Sequence, residues 1–465
     1  MNTFDPNAVC FDQDLIKRYG GRGPRYTSYP TALQFHAKFT ANDYRRHVAL
    51  SNKTVRPLSL YVHIPFCQSL CYYCACNKIV TRNRERVKTY LRHLDQEIDM
   101  QAALFDPDRK VEQLHFGGGT PTYLDEVQLR ALMAHLREAF NFDESGSREF
   151  SIEVDPRTVD SDMMTVLAEL GFNRLSLGIQ DFDPEVQRAV NRIQSTEEVG
   201  ALMRNARENR FKSVSFDLIY GLPHQTVDSF DVTLNKALEM RPDRLAIYNY
   251  AHLPERFKGQ RMINDADIPS PETKLEILHH TIDKLGESEY VYIGMDHFAL
   301  PDDDLVHAQR CGTLQRNFQG YSTHRECDLV ALGVSAIGKI GNIYAQNTTS
   351  TIEYEALLEA GKLPISRGIE VDADDLLRAD VISQLMCYDQ LVFERFNAVH
   401  GIDFLQYFGE EINSLRVLAN DGLVSIDSER ISITPRGRLL LRSIAMAFDR
   451  YLGRESTDGR FSKAI

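Results

Sequence analysis

No stretch of the 465-residue chain is uninterruptedly apolar over the ~20 residues that a bilayer crossing needs. The start, Met1 to Asp14, lacks the basic-then-apolar order of a secretory leader. Positive charge is in deficit, with 53 Lys and Arg against 66 Asp and Glu and a net charge of −13. Such a surface repels phosphate backbones and anionic lipid, so neither nucleic acid nor membrane is expected as a partner. Low-complexity tracts and internal sequence repeats are also lacking. With 43% apolar and 26% charged residues, the chain has material for buried cores and is not a disordered one. What remains is a soluble, cytoplasmic protein of roughly three domains, and with no dimer signature in view a monomer is expected.

Cysteine is sparse and uneven. Four of the eight, Cys67, Cys71, Cys74 and Cys76, lie within ten residues, while Cys10, Cys311, Cys327 and Cys387 are scattered and read as buried or incidental thiols. So dense a group in a large chain expected to be non-secreted points to a metal site in a reducing compartment rather than to disulfides.

Leu58 to Ile64 alternates cleanly, with Leu58, Leu60, Val62 and Ile64 on one side and Ser59, Tyr61 and His63 on the other, which is a strand with one polar face. Further short strands read near Gln113–Phe116, Phe150–Val154, Arg174–Gly178, Val214–Leu218 and Arg244–Tyr250, separated by helix-length stretches. In one of these helices Asp125 is the cap and Leu129, Leu132, Met133, Leu136 and Phe140 share a face. Six strands alternating with helices predict an α/β fold, a partial TIM-like (β/α)6-type barrel of parallel strands. The expected division is an N-terminal arm over 1–55, the barrel with an extension over 56–365, and a mostly helical domain over 366–465. That last domain ends in a hairpin, Leu423 to Ile433, then a helix capped by Thr434 with Pro435 in its first turn. This end is winged-helix-like; the acidic balance favours a lid or packing role over DNA binding.

In such a barrel the working residues sit at strand ends and in the loops that follow. There lie the cysteine loop, Gly117-Gly118-Gly119-Thr120-Pro121, Glu153-Val154-Asp155-Pro156, Gly178-Ile179-Gln180-Asp181, and Asp217. Cys67, Cys71 and Cys74 have the spacing C-x3-C-x2-C, with Cys76 one residue beyond. Three thiolates on one tight loop can hold three corners of a 4Fe-4S cube and leave the fourth iron open. All-thiolate zinc sites are usually built from two separated knuckles, and no second knuckle exists here; a redox dithiol of Cys71 and Cys74 leaves Cys67 unexplained.

This spacing after the first strand of a βα array resembles the radical S-adenosylmethionine superfamily. The likeness narrows with Tyr61-Val62-His63-Ile64-Pro65-Phe66-Cys67, Cys76, Phe116-Gly117-Gly118-Gly119-Thr120-Pro121-Thr122, Arg316-Asn317-Phe318-Gln319-Gly320-Tyr321 and the N-terminal Gly23-Pro24-Arg25-Tyr26-Thr27-Ser28-Tyr29-Pro30-Thr31. Together these resemble the oxygen-independent coproporphyrinogen III oxidase family over nearly the whole chain. The resemblance implies conversion of two propionates of coproporphyrinogen III to vinyl groups, giving protoporphyrinogen IX for haem synthesis. It implies one 4Fe-4S cluster, two S-adenosylmethionine molecules, and an electron donor and an electron acceptor as partners.

Position by position, the resemblance makes Cys67, Cys71 and Cys74 the cluster ligands and sets Tyr61, Gly118, Glu153 and Ile337 around the cleaved S-adenosylmethionine. It sets a second molecule near Tyr73, Ala75, Gly119, Thr120, Gln180, Arg192, Asp217 and Ala251; Tyr73 and Ala75 stand where the common pattern has Phe and Gly. Cys76, His63, Phe318 and Gln319 match positions that matter for activity. The amides of Gly117, Gly118 and Gly119 are expected to approach the methionine end, and Glu153 the ribose hydroxyls, although a triple glycine also serves as a plain turn and a lone glutamate as a solvated carboxylate. The arm, with Pro24, Pro30, Tyr26 and Tyr29, reads either as a lid whose Arg22 and Arg25 meet substrate carboxylates or as a segment packed on the barrel. His297 reads either as a substrate contact or, more often for an isolated histidine, as a group satisfying a local hydrogen bond, and Asp181 and Asp296 read as structural carboxylates. The rival functions are a haem-binding chaperone of the same superfamily and a radical methyltransferase; Cys76, the arm and the Arg316 to Tyr321 segment favour the oxidase.

Overall fold

The computed structural model describes residues 9–324 and 327–452; the first eight residues, part of the start read above as leaderless, and the end of the 366–465 region lie outside these. Six parallel strands form the barrel wall: β1 (Leu58–Ile64), β2 (Lys110–Gly118), β3 (Glu149–Val154), β4 (Arg174–Gln180), β5 (Ser213–Tyr220) and β6 (Arg244–Asn249). They pair in chain order. Helices Arg84–Ala102, Glu126–Ala139, Ser161–Glu169, Thr196–Glu208 and Val227–Met240 connect them.

The alternation of β1 has the expected consequence. Leu58, Leu60, Val62 and Ile64 are buried against the helices, while Ser59 donates to Gln113 of the neighbouring strand β2 at 2.8 Å. Asp125 caps Glu126–Ala139 in a capping box with Gln128, and Leu129, Leu132, Met133 and Leu136 bury its inner face.

The sheet runs on past both edges of the six strands as an open path. Beside β6, strands His297–Ala299 and Val291–Gly294 add antiparallel, where an extension was expected. The other edge was not expected: Asp328–Leu332 pairs parallel with β1, followed by antiparallel Ile337–Ile340, Ile343–Asn347 and Ile365–Glu370. Asp328 is held there by Arg109 at 2.6 Å, with both side chains almost wholly buried.

The C-terminal region packs helices Ala373–Cys387, Phe393–His400 and Gly409–Asn420 around a three-stranded sheet of Gln390–Val392, Arg430–Ile433 and Val424–Ile426. One expectation is corrected here. Thr434 does not cap an α-helix: its hydroxyl accepts from Gly437 N in a turn, and the α-helix begins at Leu441. Thr434 is instead tied back to the hairpin, its hydroxyl donating to Gly422 O at 2.7 Å and its N to Leu423 O at 3.1 Å, and Gly437 packs so close that a Cβ would meet Leu423 O at 2.0 Å. The N-terminal arm packs into the same core. Tyr26 donates to Asp449 at 3.0 Å and Tyr29 accepts from Arg450 N at 3.0 Å. Among the described residues no helix is long and apolar enough to cross a membrane.

Candidate active site

β1 delivers the cysteine loop to the top of the barrel, and backbone bonds pin it on both sides. Gly119 N donates to Ile64 O at 2.9 Å and Thr120 N to Phe66 O at 2.8 Å, while Phe66–Cys67 pairs with Ile79–Val80. Tyr72 N reaches Val190 O at 3.0 Å and Asn191 Nδ2 reaches Leu70 O at 2.8 Å. The loop is thereby clamped between β2 and the segment after β4.

The sulfurs lie among donors. Arg157 and Arg192 each place a guanidinium nitrogen 3.4 Å from Cys71 Sγ, and Thr120 Oγ1 lies 3.5 Å from Cys67 Sγ. Burial pushes the Cys67 thiol up to about 11, whereas a hydrogen bond from Cys76 brings Cys74 down to about 6 and holds Cys76 well above its ordinary value. Three thiols on one loop, two of them partly exposed and the third backed by two cations, fit an anionic iron–sulfur cluster. Among the described residues no three His, Cys, Asp or Glu side chains are placed to hold a single metal ion; a cube takes one thiolate per iron and does not need its sulfurs to meet at one point.

Beside the loop, Tyr61, His63, Gly118 and Glu153 form one bonded group with His115. Tyr61 OH and His63 Nδ1 are 3.0 Å apart, Gly118 N donates to Glu153 Oε2 at 3.1 Å, and His115 Nε2 lies 3.4 Å from Glu153 Oε1. Tyr61 stacks on His115 at 5.8 Å, and His63 Nε2 meets Asn77 O at 3.1 Å. Burial raises the Glu153 carboxyl, but His115 and the Gly118 amide outweigh it, so its pKa falls below the usual value. Burial keeps His63 below its usual value.

The glycines differ from expectation. The amides of Gly118 and Gly119 are already donated, to Glu153 Oε2 at 3.1 Å and to Ile64 O at 2.9 Å. Their lack of a side chain serves the neighbours. A Cβ on Gly118, whose φ is +120°, would meet the His63 ring at 2.8 Å, and one on Gly119 would meet Pro65 O at 2.7 Å.

A second group centres on Arg192, which binds Asp155 at 3.1 Å and Gly178 O as well as Cys71. Gln180 stands at the adjacent bulge of β4 with φ +69°. Asp155 and Arg157, paired at 2.7 Å, complete this group; Asp155 was read only as part of the run at the end of β3, with no role given to it, and Arg157, two residues on, was missed. Tyr73 and Ala251 come together through Gln260, whose Nε2 donates to both carbonyls, at 2.9 and 3.2 Å. Asp217 accepts from Ser176 at 3.0 Å, and burial together with Glu153 raises it to about 7.

Glu153, Asp217 and Gln319 line one polar cavity of about 160 Å³ inside the barrel. Phe318 and Ile337 belong instead to an apolar cluster with Phe35 and Tyr344. Ala75 and Cys76 are exposed at the end of the loop.

The Radical SAM superfamily model matches residues 61–237, and the HemN C-terminal domain model matches residues 371–440. The chain is 52% identical over 459 residues to the oxygen-independent coproporphyrinogen III oxidase of Pseudomonas aeruginosa, covering 99% of this chain and 100% of that one. It is 50% identical to the Escherichia coli enzyme of the same name, covering 98% and 99%. The solved structure of the Escherichia coli coproporphyrinogen III oxidase (HemN), described as a radical SAM enzyme, superposes with a TM-score of 0.91 over 96% of this chain and 100% of that one, at 50% identity. By its cysteine loop, its barrel and its full-length kinship, the chain belongs to the oxygen-independent coproporphyrinogen III oxidase family of radical SAM enzymes.

Proposed function

We infer that the protein converts two propionate side chains of coproporphyrinogen III to vinyl groups without O2, yielding protoporphyrinogen IX. The observation that carries this reading is the loop of Cys67, Cys71 and Cys74, backed by Arg157 and Arg192, in a chain half identical to such oxidases over its whole length. Each propionate loses one β-hydrogen atom, one CO2 and one electron, the last to a one-electron acceptor. A propionate β-hydrogen is not acidic, so side-chain acid or base catalysis cannot remove it. A bound 4Fe-4S cluster with S-adenosylmethionine supplies the missing reactivity as a 5′-deoxyadenosyl radical.

The polypeptide's task is then to hold, orient and shield. Cys67, Cys71 and Cys74 are the ligands of three irons, with Cys76 outside the set. Glu153, fixed by Gly118 N and His115, has acceptor capacity left for ribose hydroxyls. Tyr61 and Ile337 flank the same molecule. The reading includes a second S-adenosylmethionine beside Tyr73, Ala75, Gly119, Thr120, Gln180, Arg192, Asp217 and Ala251, supported by the Arg192–Asp155 pair and by the Gln260 bridge between Tyr73 and Ala251. His63, Cys76, Phe318 and Gln319 are the remaining residues assigned to the reaction. Anaerobic turnover of coproporphyrinogen III with product mass analysis tests the whole: loss of two CO2 with methionine and 5′-deoxyadenosine formed supports it. A methylated product, or haem retained without turnover, contradicts it.

A further inference from the structure

The chemistry inferred above consumes one electron for each S-adenosylmethionine cleaved, so a donor must reach the cysteine loop. Three segments flank that loop. Phe66–Cys67 leads into it and pairs with Ile79–Val80. Behind the helix Pro184–Ala189, Val190 O accepts from Tyr72 N and Asn191 Nδ2 donates to Leu70 O. The segment after β6 lies against the loop at Gly259, where a Cβ would stand 3.4 Å from the Leu70 side chain and 3.5 Å from Tyr72 O. The wall here is thin. Arg157, 20% exposed, places Nη2 3.4 Å from Cys71 Sγ and Nη1 3.5 Å from Asn191 O, so one side chain stands between a cluster ligand and the surface.

These segments reverse the sign of the chain. Residues 68–82, 184–193 and 254–262 together carry seven Lys and Arg against two acids, Glu185 and Glu255, in a protein of net charge −13. Arg82, Arg188, Arg256, Lys258 and Arg261 are exposed. Large apolar side chains are exposed among them: Ile193 at 63%, Met262 at 62%, and Val80 beside the loop. Apolar contacts within a polar, charged rim are the anatomy of a protein interface. Like charges gathered on one face steer a partner of opposite sign toward it. The acidic balance of the rest of the chain repels that same partner, so the local reversal also fixes where it lands.

We propose that this surface docks a small acidic protein carrying a one-electron flavin or iron–sulfur centre, and that its electron enters on the Cys71 side of the loop, past Arg157. This rests on the functional reading above and names the donor class that it needs. The carrier loses one electron and the bound cluster gains it; no bond forms or breaks and no proton moves in this step. Arg157 and Arg192, both 3.4 Å from Cys71 Sγ, favour the added negative charge.

An acidic flavodoxin serves as the test carrier. Its oxidised form is titrated calorimetrically into the reconstituted protein at low and at physiological ionic strength. Its reduced form is mixed with the protein anaerobically while the cluster absorbance is followed. Association should weaken steeply with added salt. Arg188→Glu/Arg256→Glu/Lys258→Glu lies outside the residues assigned to cluster, cofactor or substrate. It should lower the affinity, and slow reduction by flavodoxin, by about tenfold or more. Photoreduced deazaflavin, a small uncharged reductant, should reduce the triple variant and the unsubstituted protein at the same rate. Arg395→Glu/Arg416→Glu, on the C-terminal domain, should behave as the unsubstituted protein does. Association that ignores salt, a triple variant that binds and accepts electrons undiminished, or an equal loss in the C-terminal pair overturns the docking surface. Protein that shows this association and reduction but does not turn over coproporphyrinogen III loses the substrate reading and keeps the surface. Protein that turns over with another reductant yet shows no charge-dependent association keeps the reading and loses the surface.

Discussion

Arg192 bridges Cys71 and Asp155: its Nη1 stands 3.4 Å from the Cys71 sulfur and 3.1 Å from Asp155 Oδ2. A cation beside a cluster ligand stabilises the more negative, reduced form, and hydrogen bonds to the sulfurs are among the factors that set cluster potentials. Arg192→Gln should therefore bind iron normally but give a lower reduction potential, read by anaerobic redox titration. An unchanged or higher potential would contradict the assignment of Cys71 as a ligand under the influence of Arg192.

Gly118 cannot be replaced without moving His63. At φ +120° a Cβ would lie 2.8 Å from the imidazole, and misplacement of about an ångström in an active site costs roughly 10²-fold. Gly118→Ala is expected to lose activity on that scale while keeping its iron, as shown by assay and metal analysis of the same preparation.

Much of the fold around the candidate site was legible because its signals are local. The period-two alternation of β1 and the Asp125 cap are each decided within about a dozen residues, and each is found in the structure; the cysteine spacing is equally local and sets three thiols on one short loop. Asp328–Leu332 was not read as a strand because all five of its residues are buried, so it has no polar face to reveal a period. Tyr26 and Tyr29 find their partners more than four hundred residues away, at Asp449 and Arg450, and Arg442 reaches the arm over a similar span. Pairings of that range leave no mark in a local pattern. The use of the Gly118 and Gly119 amides depends on where Glu153 and Ile64 lie on the two strands beside β2, which spacing alone does not specify.

The Arg109–Asp328 pair is the clearest stability determinant at the β1 edge, with side chains 1% and 3% exposed. Removing one partner strands the other charge in the interior, at a cost of about 3–5 kcal/mol. Arg109→Ala should melt well below the unsubstituted protein, whereas replacing both residues by apolar ones of similar volume should recover much of the loss in a calorimetric comparison.

Glu97 is wholly buried behind β1, accepting from Tyr354 at 2.6 Å, Gly333 N at 2.7 Å and Asn347 at 2.7 Å. Burial outweighs these bonds and raises its carboxyl from 4.5 to about 7. The folded protein thus holds a proton that the unfolded chain releases, and the stability linked to it is full below pH 4.5, declines as pH rises, and is gone above about pH 7. Glu97→Gln should remove this dependence. Relative to the unsubstituted protein its stability should rise by up to about 3 kcal/mol between pH 5 and pH 8, measured by denaturant titration at several pH values.

The central claim is that three cysteines hold a cluster and leave one iron for S-adenosylmethionine. Electron paramagnetic resonance of the anaerobically reduced, reconstituted protein, recorded with and without S-adenosylmethionine, addresses it directly. The signal should change on adding S-adenosylmethionine in both the unsubstituted protein and Cys76→Ala, and should be missing in Cys71→Ala. A colourless, zinc-loaded protein, or a cluster whose spectrum ignores S-adenosylmethionine, would contradict the account.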